Sequence, residues 1–218
     1  MRDIFLLDMD DTLLDFERAE RAGVYDTFRA IGLCADDAVA TRFHEINDSL
    51  WKALERGEIV RERIVYKRFE MLFGEYGITA DVNRAAEIYF EALAAHCYPF
   101  EGMEEFLAEL KRRGRVYIVT NGSRYIQRRH LQEGGILPYC DGVFISDEIG
   151  YNKPSVPFCD HVRAHIAGFT GEHAVYLGDS LTADKVCADY LGALFIRYLP
   201  RGRQGDGIRR YEDFWDLL

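Results

Sequence analysis

Ile4-Phe5-Leu6-Leu7-Asp8-Met9-Asp10-Asp11-Thr12 changes character within nine residues. Four apolar residues stop abruptly at a cluster of acids. An apolar run this short, without polar alternation, reads as a parallel strand buried on both faces, with the acids at its C-terminal end. Working outward, the same pattern recurs. Val116-Tyr117-Ile118-Val119 ends at Thr120-Asn121-Gly122, Val143-Phe144-Ile145 ends at Ser146-Asp147, and Ala174-Val175-Tyr176-Leu177 ends at Gly178-Asp179-Ser180. A fifth run spans Ala193 to Arg197. Helical patterns separate these runs. Met103 to Arg113 places Phe106, Leu107 and Leu110 on one face and stops at Gly114, Ser123 is positioned to cap the next helix, and Ser155 to Ala167 and Leu181 to Tyr190 follow. Strands alternating with helices predict βαβ units and a parallel sheet, with one ligand site beyond the strands' carboxyl ends.

Residues 16 to 96 differ. Phe16 to Ile31, Asp37 to Leu54, Arg61 to Tyr76 and Asp81 to His96 each show the spacing of an amphipathic helix, punctuated by Gly32, Gly57 and Gly77. This predicts a four-helix bundle inserted after the first strand, over the sheet's edge.

The chain has 218 residues and a formal net charge of −10, which fits one α/β core with a modest insertion and disfavours duplex nucleic acid. Five scattered cysteines, Cys34, Cys97, Cys140, Cys159 and Cys187, contain no C-x-x-C pair, so reduced thiols are expected rather than a disulfide framework or a zinc site. No signal peptide is visible, and no apolar stretch approaches the roughly 20 residues of a membrane helix. The expectation is a cytoplasmic protein with no membrane partner.

Asp8, Asp10 and Asp11 lie within four positions. Like charges this close are costly unless a cation or donors stabilise them, and magnesium is the usual cation beside phosphate. D-x-D alone is equally the pattern of a solvated acidic turn. A calcium loop is rejected, because its glycine position holds Leu13 and its final glutamate position holds Ala19. Asp179 could complete a magnesium site. Thr120, Asn121 and Gly122 offer a hydroxyl and N–H groups suited to a phosphate oxygen, and Lys153 could offset phosphoryl charge.

Four motifs in order resemble the haloacid dehalogenase (HAD) superfamily of phosphohydrolases. Asp8-Met9-Asp10-Asp11-Thr12 is similar to its D-x-D-x-T motif, Val119-Thr120-Asn121 to the hydrophobic-Thr motif, Lys153-Pro154 to the lysine motif, and Gly178-Asp179-Ser180 with Asp184 to G-D-S-x-x-x-D. The resemblance implies an α/β, Rossmann-like parallel sheet flanked by helices at residues 1–14 and 97–218, with a helical cap at 15–96 that sets substrate choice. It implies that Asp8 attacks phosphorus and that Asp10 serves as acid and base. By the same resemblance Mg²⁺ would be held by Asp8, the Asp10 carbonyl and Asp179, with Asp184 supporting it from behind or through water, and Thr120 and Lys153 would bind phosphate, Asn121 being a further candidate. The family's dehalogenases lack the second acid, so Asp10 favours phosphate esters. Where many relatives carry Gly-Gly after the last acid, this chain has Lys185-Val186-Cys187-Ala188.

Leu50-Trp51-Lys52, Gly57-Glu58-Ile59 and Arg68-Phe69 resemble the cap of the branch that acts on pyrimidine and noncanonical nucleoside 5′-monophosphates. Trp51 or Phe69 could stack on a base and Lys52 could meet phosphate, although packing between cap helices explains the two rings as well. Sugar phosphates, phosphoglycolate and an acylneuraminate 9-phosphate remain alternatives, as do a phosphomutase and a non-catalytic binding module. The expected partner is a small phosphorylated metabolite, acting on a monomer or homodimer. His161 and His165, four apart on a helix, fit a solvated face better than a metal site. Arg201-Gly202-Arg203 and Arg209-Arg210 read as a loop with scattered charge.

Overall fold

The computed structural model describes residues 2–199 and 202–218, so Arg201 of the basic tail lies outside the described residues. Two compact units form. One comprises Met1–Asp15 and Tyr98–Leu218, and the other Phe16–Cys97.

The first unit is built on a parallel sheet. Its strands are β1 (Ile4–Leu7), β2 (Arg115–Thr120), β3 (Gly142–Ile145), β4 (Ala174–Gly178) and β5 (Leu194–Arg197), in the spatial order β3-β2-β1-β4-β5. β1 pairs Leu7 with Ile118 on one side and with Leu177 on the other, so the ends of the three central strands are level. All four β1 residues are buried, which is why its sequence is uniformly apolar. Ile4 and Leu6 pack with Tyr176, Phe158 and Val162 on one face. Phe5 meets Phe214 of the C-terminal 3₁₀ segment, whose neighbour Tyr211 stacks on Phe106.

Two expected helices start or end differently. The expected 155–167 helix is Val156–Ala164, and the 181–190 helix is Asp184–Leu191. Ser180 explains the later start, because its hydroxyl accepts the Ala183 N–H at 3.1 Å and holds residues 180–183 as a turn. Ser123 stands at the N-cap of the Arg124–Glu133 helix without a side-chain cap bond. Asp147 substitutes for it, accepting the Arg124 N–H at 2.9 Å.

The second unit contains four helices, α1 (Phe16–Ala30), α2 (Asp37–Glu55), α3 (Arg61–Tyr76) and α4 (Val82–Ala95). Asp36 caps α2 through the Val39 N–H, and Asp81 caps α4 through Asn83 and Arg84. Phe43, Phe69 and Tyr89 meet pairwise with ring centroids 5.0–5.6 Å apart. Beside them, Glu20 accepts from the Asn47 amide at 2.7 Å and contacts the His44 ring at 2.6 Å. Arg68 donates to Asn47 and lies 4.3 Å from the Tyr89 ring centre. Among the described residues, no helix is long and apolar enough to cross a membrane.

Candidate active site

The level ends of β1, β2 and β4 bring the polar clusters to one edge of the sheet. Asp8 follows β1, and its N–H bonds to the Leu177 carbonyl at 2.9 Å. The chain then turns tightly, with the Leu13 and Leu14 N–H groups both reaching the Met9 carbonyl. Asp11 adopts φ +57°, a left-handed conformation that aspartate tolerates better than most side chains. The Asp8 carboxylate accepts the Lys153 ammonium at 2.6 Å on one oxygen and the Thr12 hydroxyl at 3.1 Å on the other.

Lys153 is buried, and its Nζ donates three bonds, to Asp8, to Asp184 at 2.8 Å and to the Val119 carbonyl at 2.8 Å. Burial works against its charge, yet Asp184 and Asp8 raise its pKa, so the ammonium is firmly held. Asp184 is equally committed. It accepts from Lys153 and the Tyr176 hydroxyl on Oδ1, and from the Ser180 N–H on Oδ2. Gly178 makes this possible, since a Cβ there would stand 2.4 Å from the Asp184 carboxylate.

Asp10 is reached from β2's side. Gln127 donates to its Oδ2 at 2.8 Å and also to the Asn121 carbonyl at 3.0 Å. The other Asp10 oxygen is buried without a hydrogen-bond partner. Burial pushes the Asp10 carboxyl up to about 7, against the pull of the Gln127 bond. Gly122, at φ +137°, leaves room for the glutamine, because a Cβ would lie 2.5 Å from its amide nitrogen. Thr120 is buried and donates its hydroxyl to the Asn121 carbonyl at 3.2 Å.

Carboxylate oxygens of Asp8, Asp179 and Asp184 lie within 4.8 Å of one another. Burial, reinforced by Asp184, Asp8 and Asp11, drives the Asp179 carboxyl well above the ordinary range, and burial likewise raises Asp8. Three hard oxygen donors whose mutual repulsion calls for a counter-charge fit a divalent cation. Arg203 already supplies part of that charge. Its guanidinium bridges Asp179 at 3.0 Å and Asp11 at 2.5 Å, while Arg209 holds the Arg203 carbonyl.

Several expected site residues therefore meet, namely Asp8, Asp10, Thr120, Asn121, Lys153, Asp179 and Asp184. Others do not behave as expected. Asn121, a candidate for phosphate, has its amide engaged with both the N–H and the carbonyl of Lys153, at 2.8 and 3.1 Å, so it fixes the lysine. Phe69 is corrected outright. It is fully buried in the aromatic core of the helical unit, and no face is left to stack on a base. Lys52 is exposed and pairs with Asp48 at 2.6 Å, and Trp51 is half-buried. His161 and His165 stack, with ring centres 3.9 Å apart, and do not converge as ligands. Gln127, Tyr176 and Arg203 were missed. Gln127 and Arg203 reach Asp10 and Asp11 across 117 and 192 residues, and Tyr176 reads only as a buried strand residue, so only the position of Gln127 in the first turns after the Thr120 strand hinted at the site.

A parallel α/β sheet carrying a carboxylate held by a buried lysine, and an acidic cluster at its strand ends, fits a hydrolase of the phosphoryl- or halide-displacing kind. Comparison with known proteins makes the class specific. Residues 3–185 match the family model described as haloacid dehalogenase-like hydrolase, and the chain belongs to that family. It is 33% identical over 179 residues to the HAD-hydrolase YfnB of Bacillus subtilis (strain 168), covering 82% of this chain and 76% of YfnB. It is 34% identical over 221 residues to the pyrimidine 5′-nucleotidase PynA of Streptococcus pneumoniae, covering 98% and 93%. The solved structure of Bacillus subtilis YfnB bound to magnesium superposes with a TM-score of 0.92 at 29% identity, covering 99% of this chain and 98% of that one.

Proposed function

We propose that this chain is a magnesium-dependent phosphomonoesterase working through an aspartyl phosphate on Asp8, with a nucleoside 5′-monophosphate as substrate. One observation carries the chemistry. The Asp8 carboxylate is fixed by Lys153 and Thr12 beside Asp179, with a second buried acid, Asp10, held by Gln127 and raised in pKa.

Asp8, Asp179 and the Asp10 carbonyl would hold the ion, whose own contribution when bound is to polarise the phosphoryl oxygens and lower the repulsion they present to Asp8. Asp184 has its oxygens occupied by Lys153, Tyr176 and Ser180, so it acts by positioning the lysine. An Asp8 oxygen attacks phosphorus as the bond to the leaving oxygen breaks. Asp10, whose carboxyl burial raises to about 7 so that a fraction of it carries a proton at neutral pH, gives that proton to the leaving oxygen. As a carboxylate it then takes a proton from the water that attacks the acyl phosphate, freeing Asp8 and phosphate. Thr120 supplies a phosphate contact, and Lys153 a fixed positive charge.

The nucleotide reading rests on the full-length similarity to PynA. A cytoplasmic setting and a monomer or homodimer belong to the same reading. The test is a phosphate-release screen over nucleotides, sugar phosphates and small phospho-acids. Nucleoside monophosphates should rank among the best substrates, and EDTA should abolish turnover until Mg²⁺ is restored. Sugar phosphates outranking nucleotides would remove the substrate assignment, and no release from any monoester would remove the phosphatase.

Arg203 yields a separate expectation. Without it, Asp11 and Asp179 lose the guanidinium that bridges them. Arg203→Met should lower the metal-free Tm by roughly 2–4 °C, as expected for about 1 kcal/mol in a chain of this size. The Tm rise produced by Mg²⁺ should be larger than in the parent protein, because a competing cation has gone. Thermal shift with and without Mg²⁺ reads both, and an unchanged or smaller Mg²⁺ response would contradict the competition.

A further inference from the structure

Two buried thiols serve no step of the phosphoryl chemistry. Cys159 lies on the Val156–Ala164 helix and Cys187 on the Asp184–Leu191 helix. Their sulfurs are 2.7 Å apart across 28 residues of chain, within about 0.7 Å of the S–S bond length of about 2.05 Å. They sit in the same core cluster as Phe158, Val162, Ala188 and Leu191. The Cys159 thiol is 3.9 Å from the carbonyl of Pro154, the residue after Lys153, and Cys187 lies one turn beyond Asp184.

We propose that Cys159 and Cys187 are a reversible oxidation site that closes to an intrachain disulfide when the protein meets a hydroperoxide. Cys159 is the attacking thiol. The contact between the two thiols, in which either can donate, holds the Cys159 pKa down and, together with burial, pushes the Cys187 pKa up. The Cys159 sulfur attacks one peroxide oxygen, the O–O bond breaks, and Cys159 becomes a sulfenic acid as hydroxide leaves. The Cys187 sulfur then attacks the Cys159 sulfur, the S–S bond forms, the S–O bond breaks, and the thiol proton leaves with the hydroxyl as water. In sum, two thiols and one H₂O₂ give one disulfide and two waters. A small peroxide reaches the pair through local opening of these two short helices, of nine and eight residues. The second step outruns further oxidation because the partner sulfur is already in contact.

The bond ties the Val156–Ala164 helix to the Asp184–Leu191 helix, close in sequence to Lys153 and Asp184. The closure moves sulfur by less than the spacing it removes, so the fold is kept and the crosslink acts as a staple. Constraining 28 residues of the unfolded chain should raise the Tm of the oxidised protein by roughly 5–10 °C.

The experiment treats the folded full chain with hydrogen peroxide, alkylates free thiols in denaturant, and maps non-reduced peptides, with fragmentation to assign the sulfurs. The expected product has lost two hydrogens, carries the Cys159–Cys187 link as its main crosslink, melts higher, and reverts with dithiothreitol. The Cys187→Ser variant should instead accumulate Cys159 sulfenic acid or its further oxidation products. Three results would overturn the proposal, namely both thiols alkylated while exposed Cys34 oxidises, Cys159 found as sulfinic acid without a link, or the link forming only after the chain is unfolded in urea. The readout is mass, so it stands or falls independently of any phosphatase assay.

Discussion

Asp8→Asn should abolish phosphate release, lowering kcat by roughly 10³-fold or more while the protein stays folded. The amide keeps the shape of the carboxylate. Its oxygen can still accept a bond from Lys153, which retains Asp184 and the Val119 carbonyl as partners. What it loses is the nucleophilic oxygen and the charge that draws a divalent cation toward Asp179. Steady-state phosphate release, paired with a melting curve, separates the two. A folded variant with more than a tenth of parental turnover would show that the nucleophile lies elsewhere.

Lys153→Met should be the most destabilising change at the site. The lysine is 3% exposed and neutralises two carboxylates that are themselves almost fully buried, Asp8 and Asp184. Removing one member of a buried ion network leaves uncompensated charge, which costs about 3–5 kcal/mol. For a chain of this size that is a fall in Tm of roughly 10 °C in the α/β unit's transition. Saturating Mg²⁺ should recover part of the loss, because it supplies positive charge to the same carboxylates. A variant melting within about 2 °C of the parent would mean that the two acids are already neutral in the folded protein. In the proposed mechanism activity should fall as well, since Lys153 there holds Asp8 and supplies a fixed positive charge to the phosphoryl group.

Both expectations rest on residues that the sequence itself points to. The strands were legible because parallel strands are covered on both faces. Such strands cannot alternate polar and apolar residues, so each stands out as an apolar run that stops where polar groups begin. Asp8, Thr120 and Asp179 each follow or end such a run, and Lys153 and Asp184 fall in motifs of fixed local spacing. The helical stretch between residues 16 and 96 was legible from its period, whereas the faces of its helices were not. Phe69 lies on an apolar stripe, and periodicity does not distinguish a ring that lines a ligand site from one that fills a core. The observed contacts with Phe43, Phe73 and Tyr89 decide for the core.

The sequence by itself determined the order of strands and helices, the acidic motif that closes the first strand and the hydrolase family, because these are carried by local runs and short spacings. Only the tertiary structure decided how that motif is electrostatically supported. Gln127 reaches Asp10 across 117 residues, and Arg203 reaches Asp11 across 192, spanning Asp11 and Asp179 from a tail that reads as an ordinary charged loop. Cys159 and Cys187 touch across 28 residues with no motif between them. Such pairings depend on which helix face packs against which strand end, and on long side chains whose direction is set by neighbours remote in the chain. No local pattern encodes them.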